Sequence, residues 1–238
     1  MTIAMSKKFS ERIFFRPLFF ILRPFANLIR YLMLKIMKKL RLPGDDRPAR
    51  AAASHLLEEL VLPSGFRIFS DRGFRELAQF STLPTTEQDR VFNELETAGI
   101  CLALFCLDFA DALVKPKDYH FWREVKDRLP KEFEENLIKM GAEKESAHLY
   151  QDLISMRYQE YEKTTQEAID IWNSEEPRFR ELQTEVAKHS AARVHAIAIG
   201  AADHIRRGKL KKVDRLPSFL ISWLLYLNED IGKFIKKL

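Results

Sequence analysis

Long apolar side chains fill nearly every position from Phe9 to Leu42, and the polar exceptions recur on one side. On a helical wheel Arg12, Arg16, Arg23, Asn27, Arg30, Lys38 and Arg41 fall within roughly a third of the circle. Phe14, Phe15, Leu18, Ile21, Phe25, Ile29, Leu32 and Ile36 form the apolar side. This pattern predicts a basic amphipathic helical segment that docks on a membrane surface or a partner. Arg16-Pro17 and Arg23-Pro24 predict a kink or short pieces before Pro24, because an internal proline removes a hydrogen bond and clashes one turn back. A cleaner helix is expected from Pro24 to about Leu42, ended by Pro43-Gly44.

Helical spacing continues through the rest of the chain, and strand-type alternation is hard to find, so the expected class is all-α, a multi-helix bundle. A helix over Ala51–Val61 should end at Leu62-Pro63-Ser64-Gly65. Ser70 is placed to cap a short helix running to Phe80. Thr85 with Gln88 gives a capping-box signal for a helix to about Val114. Its centre, Ile100–Leu107, is an unbroken apolar run, expected as a helix buried on all sides and the hub of the bundle. Asp118 should cap a helix to Leu129, with Pro130 opening another that stops at Gly141. A long helix over Glu145–Trp172 would place Leu149, Leu153, Met156 and Tyr161 on or near one face. Pro177 should open a helix to Arg207, whose small residues from Ala191 to Ala202 form a close-packed seam. The last helix begins at Pro217 with Trp223, Leu224, Leu227, Ile231 and Phe234 on one broad face, as either a surface or a bundle helix. The expected division is a docking segment at 1–44, a short-helix connector at 45–84, a bundle core at 85–207 and a basic segment with an amphipathic helix at 208–238.

Charge sharpens this division. The net charge of +5 over 238 residues conceals a net +9 in residues 1–43, −10 in 44–204 and +6 in 205–238. Basic ends around an acidic body suit an anionic surface, or docking of the ends onto the body itself. Cys101 and Cys106 are five residues apart, about 140° around a helix, so they cannot bridge one another. Two free thiols suit a reducing side of a membrane, the cytoplasmic face or the mitochondrial matrix face.

Energetics separate lying on a membrane from crossing it. The best crossing window, Ile13–Leu34, holds 13 Leu, Ile or Phe residues, worth about −4 to −8 kcal/mol on an insertion scale. Arg16, Arg23 and Arg30 cost about +7 to +10 kcal/mol if central. Snorkelling relieves the outer two but not Arg23. A surface helix keeps all three at the headgroups. A cleavable transit peptide is a further reading, weakened by the shortage of serine.

Few residues suggest catalysis. Glu145, His148 and Asp152 share one helical face, and Glu-x-x-His is half of a di-metal bundle signature, but the chain has no second copy. They form a weak metal candidate beside the plainer reading of a solvated helix start. Asp108 and Asp111, one turn apart, could handle protons or mark where the hub helix meets water. His189, His195 and His204 share a helix but not a face. No phosphate-binding glycine loop, Gly-x-Ser-x-Gly, Cys-x-x-Cys or dinucleotide fingerprint occurs. Nucleic-acid binding through the basic ends is a third choice, because the N-terminal arginines are interleaved with Phe, Leu and Ile. The sequence therefore favours a non-enzymatic helical protein without a cofactor, on an anionic membrane surface or a membrane-protein complex. The alternative is a bundle with an apolar pocket near Ile100–Leu107 and Ala191–Ala202 that binds or acts on a hydrophobic small molecule.

Overall fold

The computed structural model describes residues 17–40, 45–175, 184–208 and 213–238, with side chains from residue 28 onward. All regular structure among them is helical. The chain divides into two compact units, Met1–Pro48 and Ala49–Leu238. The first holds helix α1, Pro17–Lys39, which begins ahead of the expected Pro24 and runs through it. The expected stop at Pro43-Gly44 lies outside the described residues.

The second unit starts within α2, Arg47–His55, which passes into a π-helical stretch, Leu56–Val61, and then α3, Leu62–Ser70. Pro63 was expected to break this helix, yet the helical path continues. In a regular α-helix its ring would meet the carbonyl of Glu59. The wider turn immediately before it, where the Leu62 N–H reaches back to the Leu57 carbonyl, accommodates the missing donor and the ring. Helix α4, Arg72–Leu77, is capped by Asp71, whose side chain accepts from the Phe74 N–H at 2.9 Å. Ser70 ends α3 instead of capping α4.

Helix α5, Thr85–Asp108, is the hub. From Glu94 to Phe105 every residue is buried, because α5 packs against α3, α6, Tyr119–Lys139; α7, Lys144–Glu175; α8, Glu185–Arg206; and α9, Leu216–Lys237. Such encirclement favours apolar side chains all round the helix, as in Ile100–Phe105; Glu94, Glu96 and Thr97 are the polar members of the buried span. Gly99 permits one of the close approaches: a Cβ there would lie 3.1 Å from Val61 Cγ1. The capping box does not form. Pro84 holds the N-cap position, and the Gln88 amide donates to the Leu83 and Phe80 carbonyls of the preceding turn.

Pro130 sits inside α6, which is one helix and not two. Its buried stripe of Phe121, Trp122, Val125, Leu129 and Phe133 crosses the proline without losing register. Burying five such side chains at about 1.5–3 kcal/mol each outweighs roughly 3 kcal/mol for an internal proline. On α7 the expected face is met at Tyr161 and in part at Leu153, but not at Leu149 and Met156. Leu149 and Met156 are 65% and 60% exposed, while Ala147, Ile154, Tyr161, Thr165 and Ile169 point inward. Helix α8 starts from Thr184, whose hydroxyl accepts from the Ala187 N–H; the expected Pro177 start lies outside the described residues. It ends on left-handed Arg207, with Gly208 N–H returned to Asp203 O and Arg207 N–H to His204 O. Helix α9 buries Leu216, Leu220, Trp223, Leu224, Leu227, Ile231, Phe234 and Ile235, which makes it a bundle helix. Residues 45–84 and 208–238 thus contribute α3, α4 and α9 to the same unit as α5–α8.

The small-residue seam on α8 meets α7 most tightly at Gly200. A Cβ built there would lie 2.4 Å from Cε1 of Tyr161, a ring with no solvent exposure. Gly200→Ala should therefore lower the melting temperature. Overpacking costs about 1–3 kcal/mol, more than the roughly 1 kcal/mol that alanine gains in helix propensity. A variant melting at or above the parent would show that the Tyr161 ring yields.

Candidate functional site

On the described part of α1 and at Leu40 just after it, Leu28, Ile29, Leu32, Met33, Ile36 and Leu40 are 49–70% exposed. Lys38 and Lys39 occupy its last turn, and no acid occurs in residues 28–40. Of the expected docking residues, Ile29, Arg30, Leu32, Ile36 and Lys38 belong to this part. Leu18, Ile21, Arg23 and Phe25 belong to the preceding helical turns, where the backbone alone is described. Arg12, Phe14, Phe15 and Arg16 lie outside the described residues. No described helix is long and apolar enough to cross a membrane.

A separate feature lies within the second unit. The end of α5 and the following turn, the start of α8 and the second half of α9 enclose a groove of about 370 Å³. Leu102, Phe105, Phe109 and Val186 supply apolar walls; Arg193, Lys233 and Lys236 supply positive charge. Arg193 is held by the Phe105 carbonyl, which accepts from Nη1 at 3.0 Å, and by two rings. Its Cζ stands 4.8 Å from the Phe105 centroid and 4.0 Å from that of Phe109. Burial lowers its pKa from the ordinary arginine value, and Asp108 opposes the shift. Asp108 itself is engaged by Lys126 and accepts from the Tyr158 hydroxyl. Cys106 also lines the groove, its Sγ 3.3 Å from Asn228 Oδ1; burial pushes its pKa up to about 12, so it stays a thiol. Cys101 is buried more completely and is likewise a neutral thiol.

The other sequence candidates do not converge. Glu145, His148 and Asp152 are all exposed, and His148 Nδ1 faces Glu134 at 3.6 Å. No three His, Cys, Asp or Glu side chains among the described residues are grouped to hold a metal ion. Asp111 is drawn to Arg123 at 3.4 Å and Asp108 to Lys126, so the two acids do not form a proton-sharing pair. His189 lies beside Phe109, His195 is edge-on to Trp172, and His204 bonds Glu160 at 3.0 Å. Lys209, Lys211 and Lys212 of the C-terminal basic run lie outside the described residues.

Two groups with unusual environments escaped the sequence reading. Arg193 had a visible signal, as the single formally charged residue between Ala191 and Ala202. Glu96 had none. It is 8% exposed in the middle of the hub, and burial raises its pKa from 4.5 to about 8. Its buried neighbour Glu94 is instead matched by Arg157 at 3.1 and 3.3 Å, and Glu132 by Arg50 and Arg128. No protein-family model, curated protein or solved structure matches the chain.

Proposed function

We propose that this chain is a helical protein held on an anionic membrane surface by its basic, amphipathic N-terminal segment, residues 9–42. It acts there as a peripheral protein or an accessory subunit of a membrane complex, and not as an enzyme. The observation that supports this best is the exposed row of Leu28, Ile29, Leu32, Met33 and Ile36 beside Arg30, Lys35 and Lys38. A patch of long apolar side chains rimmed by charge marks an interaction surface. Each half-exposed side chain has on the order of 1 kcal/mol still to gain from burial. Each Lys or Arg near an anionic leaflet adds roughly 1 kcal/mol more. A lipid surface satisfies both terms together, whereas a phosphate backbone would use the charge and leave the hydrocarbon in water.

Vesicle sedimentation tests the proposal. The full chain should pellet with vesicles of phosphatidylcholine and phosphatidylserine, and less with phosphatidylcholine alone. A Leu32→Glu, Ile36→Glu double variant should lose roughly tenfold or more in affinity, as two apolar contacts become two repelled charges. Added salt should weaken the parent's binding. A double variant that pellets like the parent would reject α1 as the docking element.

A further inference from the structure

Arg193 is an unusual cation for the interior of a helical bundle. It is more than half desolvated, yet no carboxylate pairs with it among the described residues. Its Nε is buried with no acceptor, and Nη2 donates to no group there. The acid that attracts it, Asp108, is held by Lys126 and Tyr158. Buried charges are ordinarily paired, so a guanidinium left in this condition beside an open groove lacks an anion.

The rim has the same sign. Lys233 and Lys236 line the groove with a single carboxylate, Glu229; Lys233 holds it at 2.7 Å and also meets Asp230, outside the lining, at 3.7 Å. The count is three cations against one anion. The walls are of the opposite kind, with Phe109, Leu113 and Val186 presenting hydrocarbon above the buried Leu102 and Phe105. The volume, about 370 Å³, is that of a site for one small ligand. Gly232 keeps one wall low, since a Cβ added there would meet nothing within 4 Å.

We infer that this groove binds an alkyl carboxylate, a fatty acid, with its head on Arg193 and its chain against Phe109, Leu113 and Val186. The guanidinium fork matches a carboxylate in shape as well as charge. The Phe105 carbonyl and the two phenyl rings hold the guanidinium in place, and Nη2 is left for the ligand. The apolar walls account for a chain, and the excess of positive charge selects the anion over a neutral amphiphile. This site is independent of the membrane reading. It belongs to the second unit, whereas docking is assigned to α1.

Titration calorimetry on the full chain, with decanoate as probe, tests the inference. Decanoate should bind to one site. Decan-1-ol, with the same chain and no charge, should bind roughly tenfold or more weakly, as should acetate, with the charge and no chain. Arg193→Gln should cost a similar factor. Gly232→Leu enters the groove from a position where an added Cβ meets nothing within 4 Å, and it improves helix propensity, so it should abolish binding without loss of stability. The Leu32→Glu, Ile36→Glu double variant should bind decanoate as the parent does. Equal binding of decanoate and decan-1-ol, unchanged binding by Gly232→Leu, or loss of binding in the α1 variant would each overturn the assignment. So would an absence of decanoate binding to the parent.

Discussion

Leu104→Ala should destabilise the full chain by about 2–5 kcal/mol, the range for removing a buried leucine side chain and leaving a cavity. Leu104 is 5% exposed, in mid-run on the hub helix, and it does not line the groove. Its neighbours Ala103 and Phe105 are buried as well, so little nearby can collapse into the space. A typical domain has only about 5–15 kcal/mol in total, so the loss should shift a denaturant midpoint plainly. Leu149→Ala is the control. Leu149 is 65% exposed, and its truncation should change stability by less than about 0.5 kcal/mol. A Leu104→Ala protein that unfolds with the parent would mean that the hub is loosely filled. An equal loss from Leu149→Ala would restore the inward face that periodicity alone assigns to α7.

That contrast shows what the sequence could reveal. The hub was legible because an unbroken apolar run has one stable setting, inside a ring of other helices. The face of α7 was legible only at Tyr161, because the rest of its inward stripe uses Ala147 and Thr165, which a hydrophobic pattern underweights. Tyr161 is inward because Gly200 leaves it a notch on α8. Periodicity counts side chains on one helix; it cannot see the gap on the next. Pro63 and Pro130 misled for a related reason. Each is a local breaker, and each is overruled by a stripe that stays in register across it or by a wider turn placed before it. Tertiary burial outweighs a local penalty of about 3 kcal/mol.

The two candidate surfaces differ in the same way. The α1 pattern is local, so residues 9–42 announce it without any fold. The groove joins residues 102–113, 186–193 and 228–236, which only the packing of α5, α8 and α9 brings together. The sequence offered an apolar pocket near Ile100–Leu107 and Ala191–Ala202 only as the alternative reading. It did not give Arg193 its role. An arginine in an alanine-rich helix gains that meaning only when its nearest acid, Asp108, proves to be committed elsewhere.

Glu96 gives the second large effect, and its sign follows from linkage. With its pKa raised to about 8 in the folded chain, Glu96 stays protonated there while the unfolded chain ionises at about 4.5. Between those values the folded state binds one more proton than the unfolded state. Stability is therefore full below pH 4.5 and falls with rising pH, by about 1.4 kcal/mol per unit, until the folded group also ionises near 8. The clean window runs from pH 6.5 to 8. His195, whose pKa burial lowers from 6.5, has the opposite slope and acts below that window. The buried thiols act above it, where unfolded cysteine ionises near 9. Across the window the parent should lose on the order of 2 kcal/mol, read as a falling denaturant midpoint. Glu96→Gln keeps the shape and cannot ionise, so its stability should be nearly flat over the same range. It should also exceed the parent's by the widest margin at pH 8. Parallel pH profiles for parent and variant would show that Glu96 is ionised in the folded chain, with a cation or water reaching it inside the hub.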